Sequence, residues 1–265
     1  VSKIRSAIDA VRKDFAPDGE TPPFDFNTTA IFVASTVLLT LFYYYGKANY
    51  YRRSLAESWD PTFANFLGDY VGMSAYAYWG FSSVFFRLLI PALIILFVLK
   101  QKPRDYGYRI KGQLRHAPPY IAAYFFMVPF LYWASTQESF QHRYPFYAPA
   151  ADGGSTFWLY ELFYGMQFIG VESFFRGFML FGLFKKFGYN ALLIVAIPYV
   201  MIHFNKPITE TLGALIAGVF LGYLALKSKS FFNGILLHFG IAVTMDVFAI
   251  AQKSGGIRET LNTLF

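Results

Sequence analysis

The chain has no cysteine. That excludes a disulfide framework, a thiol nucleophile and a thiolate metal site, and it leaves the compartment open. Charge is also scarce: charged residues are 15% of the sequence, against roughly 25% in soluble domains. Acidic residues are the scarcer sign, with 16 Asp and Glu against 23 Lys and Arg and a formal net charge of +7. No HExxH, P-loop or GxGxxG pattern occurs. The first twenty residues lack an apolar h-region, so no cleavable signal peptide is expected.

Apolar residues are abundant, at 55% hydrophobic and 21% aromatic. The apolar runs are continuous and approach the ~20 residues that a membrane helix needs. A transmembrane barrel would show ~10-residue alternating stretches instead. The pattern predicts an all-α, polytopic integral membrane bundle of seven or eight helices, with the lipid bilayer as its first partner. The basic residues fall between the apolar runs, as the positive-inside rule requires. Topology therefore accounts for the positive charge, and no nucleic-acid partner is expected.

Residues 1–27 read as an amphipathic N-terminal helix followed by a linker. Ile4, Ala7, Ile8, Val11 and Phe15 share helical spacing, with Lys3, Arg5, Arg12 and Lys13 between them. A frayed tail is the alternative, and Pro17, Pro22 and Pro23 mark the linker. Residues 28–250 form the membrane domain and 251–265 a C-terminal tail. The first span is expected from Thr28 to Tyr45. Residues 62–79 hold Gly68, Asp69 and Gly72 and read as interfacial or re-entrant, with a full span as the alternative.

The next span runs from Gly80 to Leu99 and carries Arg87, which reads as a snorkelling side chain. The loop over 100–117 holds six basic residues against Asp105 alone and is expected to be cytoplasmic. Further spans are expected over 120–135, 156–183, 191–203, 208–226 and 231–250, with 136–155 as an external loop. Ala214, Gly218 and Gly222 form a small-residue stripe suited to close helix packing.

Within these apolar segments stand Glu172, Arg176, His203 and His238. Ionisable groups at membrane depth are costly to bury, which makes them functional-site candidates. At ~1.5 Å per residue from the expected cytoplasmic helix ends, Glu172 lies ~18 Å in, His203 ~20 Å and His238 ~12 Å. Three polar side chains from three helices thus share one slab, with Arg176 one turn from Glu172 on the same face. This arrangement suits hydrolysis. Glu172 would be the base, Arg176 its orienting partner, His203 a co-base and His238 an oxyanion donor. A structural ion pair and two core histidines are the plainer reading. A His₂Glu zinc site is the alternative chemistry, although hydrolysis by these groups requires no cofactor. Glu161 and Asp246 read as loop-facing or bundle contacts.

The motifs Val171-Glu172-Ser-Phe-Phe-Arg176-Gly177, Tyr199-Val-Met-Ile-His203 and His238-Phe-Gly-Ile-Ala242, on successive segments, resemble the CPBP family of intramembrane enzymes. This is the CAAX protease and bacteriocin-processing family, which includes the type II CAAX prenyl endopeptidases. Asp105-Tyr-Gly-Tyr-Arg109 and Asn233-Gly-Ile-Leu-Leu-His238 extend the likeness to about residues 85–250. The resemblance implies an intramembrane endopeptidase with a Glu/His site open toward the cytoplasm. It also implies a peptide or protein substrate and a bacterial inner-membrane location. Two positions depart from the family pattern. Val171 stands where the family has its water-activating Glu, and Ala242 stands where it has Asn or Asp. Either Glu172 takes over as base, or the chain is a catalytically inactive subunit that binds a membrane protein partner.

Overall fold

The computed structural model describes Ser6 and residues 25–264. The amphipathic helix expected from Ile4 to Phe15 lies, Ser6 apart, outside them. No strand occurs among the described residues. Asp25 caps the first described helix. Its carboxylate accepts from the Asn27 and Thr28 amides at 3.1 and 3.2 Å and from the Thr28 hydroxyl at 2.7 Å. Helix α1 then runs Phe26–Tyr45, followed by the short α2 (Ala48–Ser54) and by α3 (Ala56–Leu67).

From Ala56 the backbone stays helical to Val98. It bends at Gly68, where φ is +53°, and passes through α4 (Ser74–Val84) and α5 (Ile90–Leu93). The stretch expected as interfacial or re-entrant is thus continuous with the span that follows it. Next come α6 (Pro118–Ser135), α7 (Glu138–Gln141), α8 (Gly154–Glu172), α9 (Gly182–Phe187), α10 (Asn190–Met201), α11 (Ile208–Ser228) and α12 (Phe232–Lys253). The expected tail over 251–265 includes a helix, α13 (Ile257–Leu264), that packs back on α8.

Among the described residues four helical runs are long and apolar enough to cross a membrane: Phe26–Tyr45, Ala56–Val98, Ile208–Ser228 and Phe232–Lys253. Helix α10 is apolar but spans only 12 residues. Polar and aromatic content lowers the hydropathy of α6 and α8, the first through Tyr and Trp, the second through Glu161, Gln167 and Glu172. Large apolar side chains such as Phe97, Phe125, Phe126, Ile197 and Ile216 are exposed on the outside of the bundle, as a lipid-facing surface requires.

Helix α8 is the hub and packs against α4 and α12. Its crossing with α4 depends on missing side chains. A Cβ at Gly80 would stand 2.6 Å from the Phe163 carbonyl oxygen, and one at Gly170 would overlap Ser83. The expected small-residue stripe is used in the same way: Gly218 faces the Tyr199 ring and Gly222 faces Leu192, which seats α11 on α10.

The bundle has two distinct ends. At one, Ser230 Oγ donates to the Arg109 carbonyl at 2.6 Å and Asn233 Nδ2 to the Gln113 carbonyl at 2.9 Å. These bonds tie the basic 100–117 loop to the start of α12. At the other, the Tyr78 hydroxyl donates to the Tyr45 carbonyl, the Tyr76 hydroxyl to the Phe146 carbonyl, and the Tyr144 hydroxyl to Glu210. These bonds gather the end of α1, the 136–155 loop and the start of α11.

Candidate active site

Helix α8 ends at Glu172, and the next nine residues, Ser173–Phe181, wind in wide π-helical turns. Such turns are rare and concentrate at functional sites. They carry Arg176. Glu172 is 0% and Arg176 2% exposed, and Arg176 Nη1 stands 3.2 Å from Glu172 Oε1. The same oxygen lies 2.9 Å from His238 Nδ1 on α12. The Arg176 guanidinium also rests over the Tyr199 ring, 4.0 Å from its centroid. Two buried charges need added contacts of this kind to offset their desolvation. Glu172 Oε2 has no hydrogen-bond partner among the described residues. It stands against Gly234, where a Cβ would come within 2.8 Å of it. Only glycine at this position lets α12 approach the carboxylate.

His203 sits in the turn just beyond α10, not within a long span as its expected depth implied. Its Nδ1 lies 2.8 Å from the Tyr199 carbonyl oxygen. A carbonyl only accepts, so the neutral ring carries its hydrogen on Nδ1 and has a lone pair on Nε2. The same logic applies to His238. A guanidinium is always charged, so Glu172 is its carboxylate counter-charge and accepts the His238 Nδ1–H. His238 Nε2 is then the free acceptor. The His238 ring packs on Phe168 with centroids 4.5 Å apart.

Both imidazoles line one cavity of about 990 Å³. Val171 also lines it, whereas Glu172 does not. The structure therefore joins Glu172, Arg176 and His238 by direct contact and brings His203 to them through the shared cavity and Tyr199. The group with access to that space is His238, with Glu172 behind it. Ala242, at the other departure from the family pattern, is buried in an apolar cluster with Tyr160, Tyr164 and Ile250. Glu161 and Asp246 are 1% and 0% exposed. Both are enclosed in the bundle, on α8 and α12, instead of facing loops, and neither lines the cavity.

The direction of the cavity corrects one expectation. Its lining includes Lys47, Arg52, Arg143 and Lys206, all at the end of the bundle opposite the 100–117 loop. A cytoplasmic 100–117 loop and a site open toward the cytoplasm are thus incompatible. Arg87 corrects another. It is 5% exposed, its guanidinium lies 3.6 Å from the centroid of the Phe42 ring, and it lines the cavity instead of snorkelling outward. Sequence reasoning also missed the part played by Gly234. Its signal was its place one helical turn before His238, on the same face of α12.

Among the described residues no three His, Asp or Glu side chains gather as a metal-binding group. Glu172 Oε1 is engaged by Arg176 and His238. Comparison with curated proteins and with solved structures returns no match. Residues 153–244 match the family model described as type II CAAX prenyl endopeptidase Rce1-like. The match spans 92 of the 265 residues and contains Glu172, Arg176, His203 and His238. Over that stretch the chain is similar to the Rce1-like family, consistent with the CPBP resemblance of its ordered motifs.

Proposed function

We propose that the protein is an intramembrane endopeptidase of the CAAX type in which His238, held by Glu172, takes the proton from the attacking water. One observation carries this reading. His238 has Nδ1 on a fully buried carboxylate at 2.9 Å while its ring lines the cavity. In that geometry His238 is the base with access to water, and Glu172 orients the ring and stabilises its protonated form.

Water bound near His238 Nε2 gives up a proton to it as the oxygen bonds to the scissile carbonyl carbon. The proton then passes from His238 to the departing amine nitrogen as the C–N bond breaks. His203 presents a second Nε2 to the same space and helps hold the water. The developing oxyanion lies in a cavity whose ionic lining is entirely cationic among the described residues, which favours negative charge. No step calls for a metal.

In this reading the membrane domain covers residues 28–250 and crosses a bacterial inner membrane seven or eight times, α6, α8 and the short α10 included. The 100–117 loop is cytoplasmic and the cavity opens on the opposite face. Val171 and Ala242 favour the second reading, an inactive CPBP-type subunit that binds a membrane partner. Val171 places an isopropyl group on the cavity wall where the family resemblance puts a carboxylate.

Purified protein in liposomes, offered prenylated CAAX peptides and a broader pool of membrane peptides, separates the two readings. Cleavage by wild type supports the peptidase. An inert wild type that gains cleavage on Val171→Glu supports the inactive subunit.

A further inference from the structure

The cavity that holds the two imidazoles is lined by five cations, Lys47, Arg52, Arg87, Arg143 and Lys206, and by no carboxylate among the described residues. Lys206 has its own counter-charge, Glu210 at 2.5 Å. The other four have no carboxylate partner among the described residues. Each lies against an aromatic face instead: Lys47 on Tyr43, Arg52 on Tyr76, Arg87 on Phe42 and Arg143 on Phe146.

Arg87 carries the most weight. It is 5% exposed, its Nε has no hydrogen-bond partner, and it faces the cavity from a π-helical turn, Phe85–Leu89. A cation–π contact offsets only part of the cost of taking a guanidinium out of water. A buried arginine of this kind calls for an anion, and none of the described residues supplies one.

The level of Arg87 in the bundle narrows the class of anion. Its guanidinium lies over Phe42, three residues before the end of α1, which places it ~4.5 Å inside that helix end. That end carries Tyr43, Tyr44 and Tyr45, the aromatic belt expected at a membrane interface. Cations at the interface beside apolar and aromatic walls such as Phe168, Pro198 and Ile202 match an amphiphile with an anionic head and a hydrocarbon body. The guanidinium fork suits phosphate oxygens, and the volume of about 990 Å³ leaves room for a headgroup and the first part of a chain.

We propose that this cavity binds the phosphate headgroup of an anionic membrane lipid. Arg87 anchors the phosphate, and Lys47, Arg52 and Arg143 attract it at the mouth. The proposal goes beyond the peptidase reading and does not depend on it, because binding is measured without any cleavage.

The test uses the full chain in phosphatidylcholine nanodiscs containing increasing phosphatidylglycerol. Bound lipid is counted by native mass spectrometry after release. The wild type should retain phosphatidylglycerol at one per chain and should not retain phosphatidylcholine. Arg87→Gln should weaken retention roughly tenfold or more, the scale of a lost charge-assisted hydrogen bond. Arg143→Gln, at the exposed mouth, should weaken it several-fold even if Arg87→Gln fails to fold. Equal retention of both lipids by wild type overturns the proposal, as does unchanged retention in both variants. Inorganic phosphate added to phosphatidylcholine nanodiscs is the remaining arm. Its binding at the site, with no gain from phosphatidylglycerol, overturns the lipid assignment.

Discussion

Replacing Glu172 with Gln should destabilise the bundle by about 3 kcal/mol, and replacing its partner as well should recover most of that loss. The substitution keeps the side-chain shape and leaves an oxygen that still accepts from His238. What it removes is the charge 3.2 Å from Arg176. Neither residue is more than 2% exposed, so solvent screens little of the effect. Breaking a buried pair from one side costs about 3–5 kcal/mol, because the remaining charge is left uncompensated. The Tyr199 ring beneath the guanidinium offsets up to ~2 kcal/mol of this, which sets the net loss near the lower bound. About 3 kcal/mol is roughly a hundredfold in the folded-to-unfolded ratio. Glu172→Gln with Arg176→Met removes both charges and should be more stable than Glu172→Gln alone. The assay is reversible unfolding in mixed detergent micelles, followed by tryptophan fluorescence across the four variants of a double-mutant cycle. A Glu172→Gln protein within about 0.5 kcal/mol of wild type, or losses that simply add, would refute the buried-pair reasoning.

Three other substitutions test separate parts of the structure. Gly234→Ala places a methyl group 2.8 Å from Glu172 Oε2. It should displace the carboxylate and lower peptide cleavage by up to ~10² while protein yield stays near wild type; unchanged cleavage would show that α12 does not position Glu172. Gly170→Ala drives a Cβ into Ser83 and should cost about 1–3 kcal/mol by overpacking the α4–α8 crossing. A neutral result in the same unfolding assay would count against that contact. Ser139→Cys, in a chain that has no other cysteine, should react with an impermeant thiol reagent added outside cells. Labelling only after lysis would invert the proposed topology and turn the cavity toward the cytoplasm.

Much of the fold was legible because the bilayer imposes a strong pattern on sequence. Unbroken apolar runs mark helices such as Phe26–Tyr45 and Phe232–Lys253 directly. Glu172 and Arg176 were legible as a pair because four residues is one helical turn. His238 could be placed near them because its expected depth put it in the same slab of the membrane. Residues whose meaning depends on distant neighbours were not legible. Arg87 alone in an apolar run reads as snorkelling, and only the fold of α1 across it reveals Phe42 beneath and a cavity in front.

The place of His203 was misjudged because the apolar run continues to Phe204 while the helix ends at Met201. No local residue pattern announces the π-helical turns over Ser173–Phe181. They carry Arg176 against the Tyr199 ring of α10, a contact made only in the folded chain. The distinction between Glu172 as base and Glu172 as support for a base was invisible for the same reason. It depends on which residue faces the cavity, and that is a property of the packed bundle.

The most direct test of the central claim is the single-turnover cleavage rate of His238→Gln relative to wild type in liposomes, with a peptide that wild type is first shown to cut. If His238 takes the proton from water, the rate should fall by ~10² to 10⁴. Lipid retention by the cavity should persist, since Arg87 remains. A His238→Gln protein that cleaves at the wild-type rate would contradict the account.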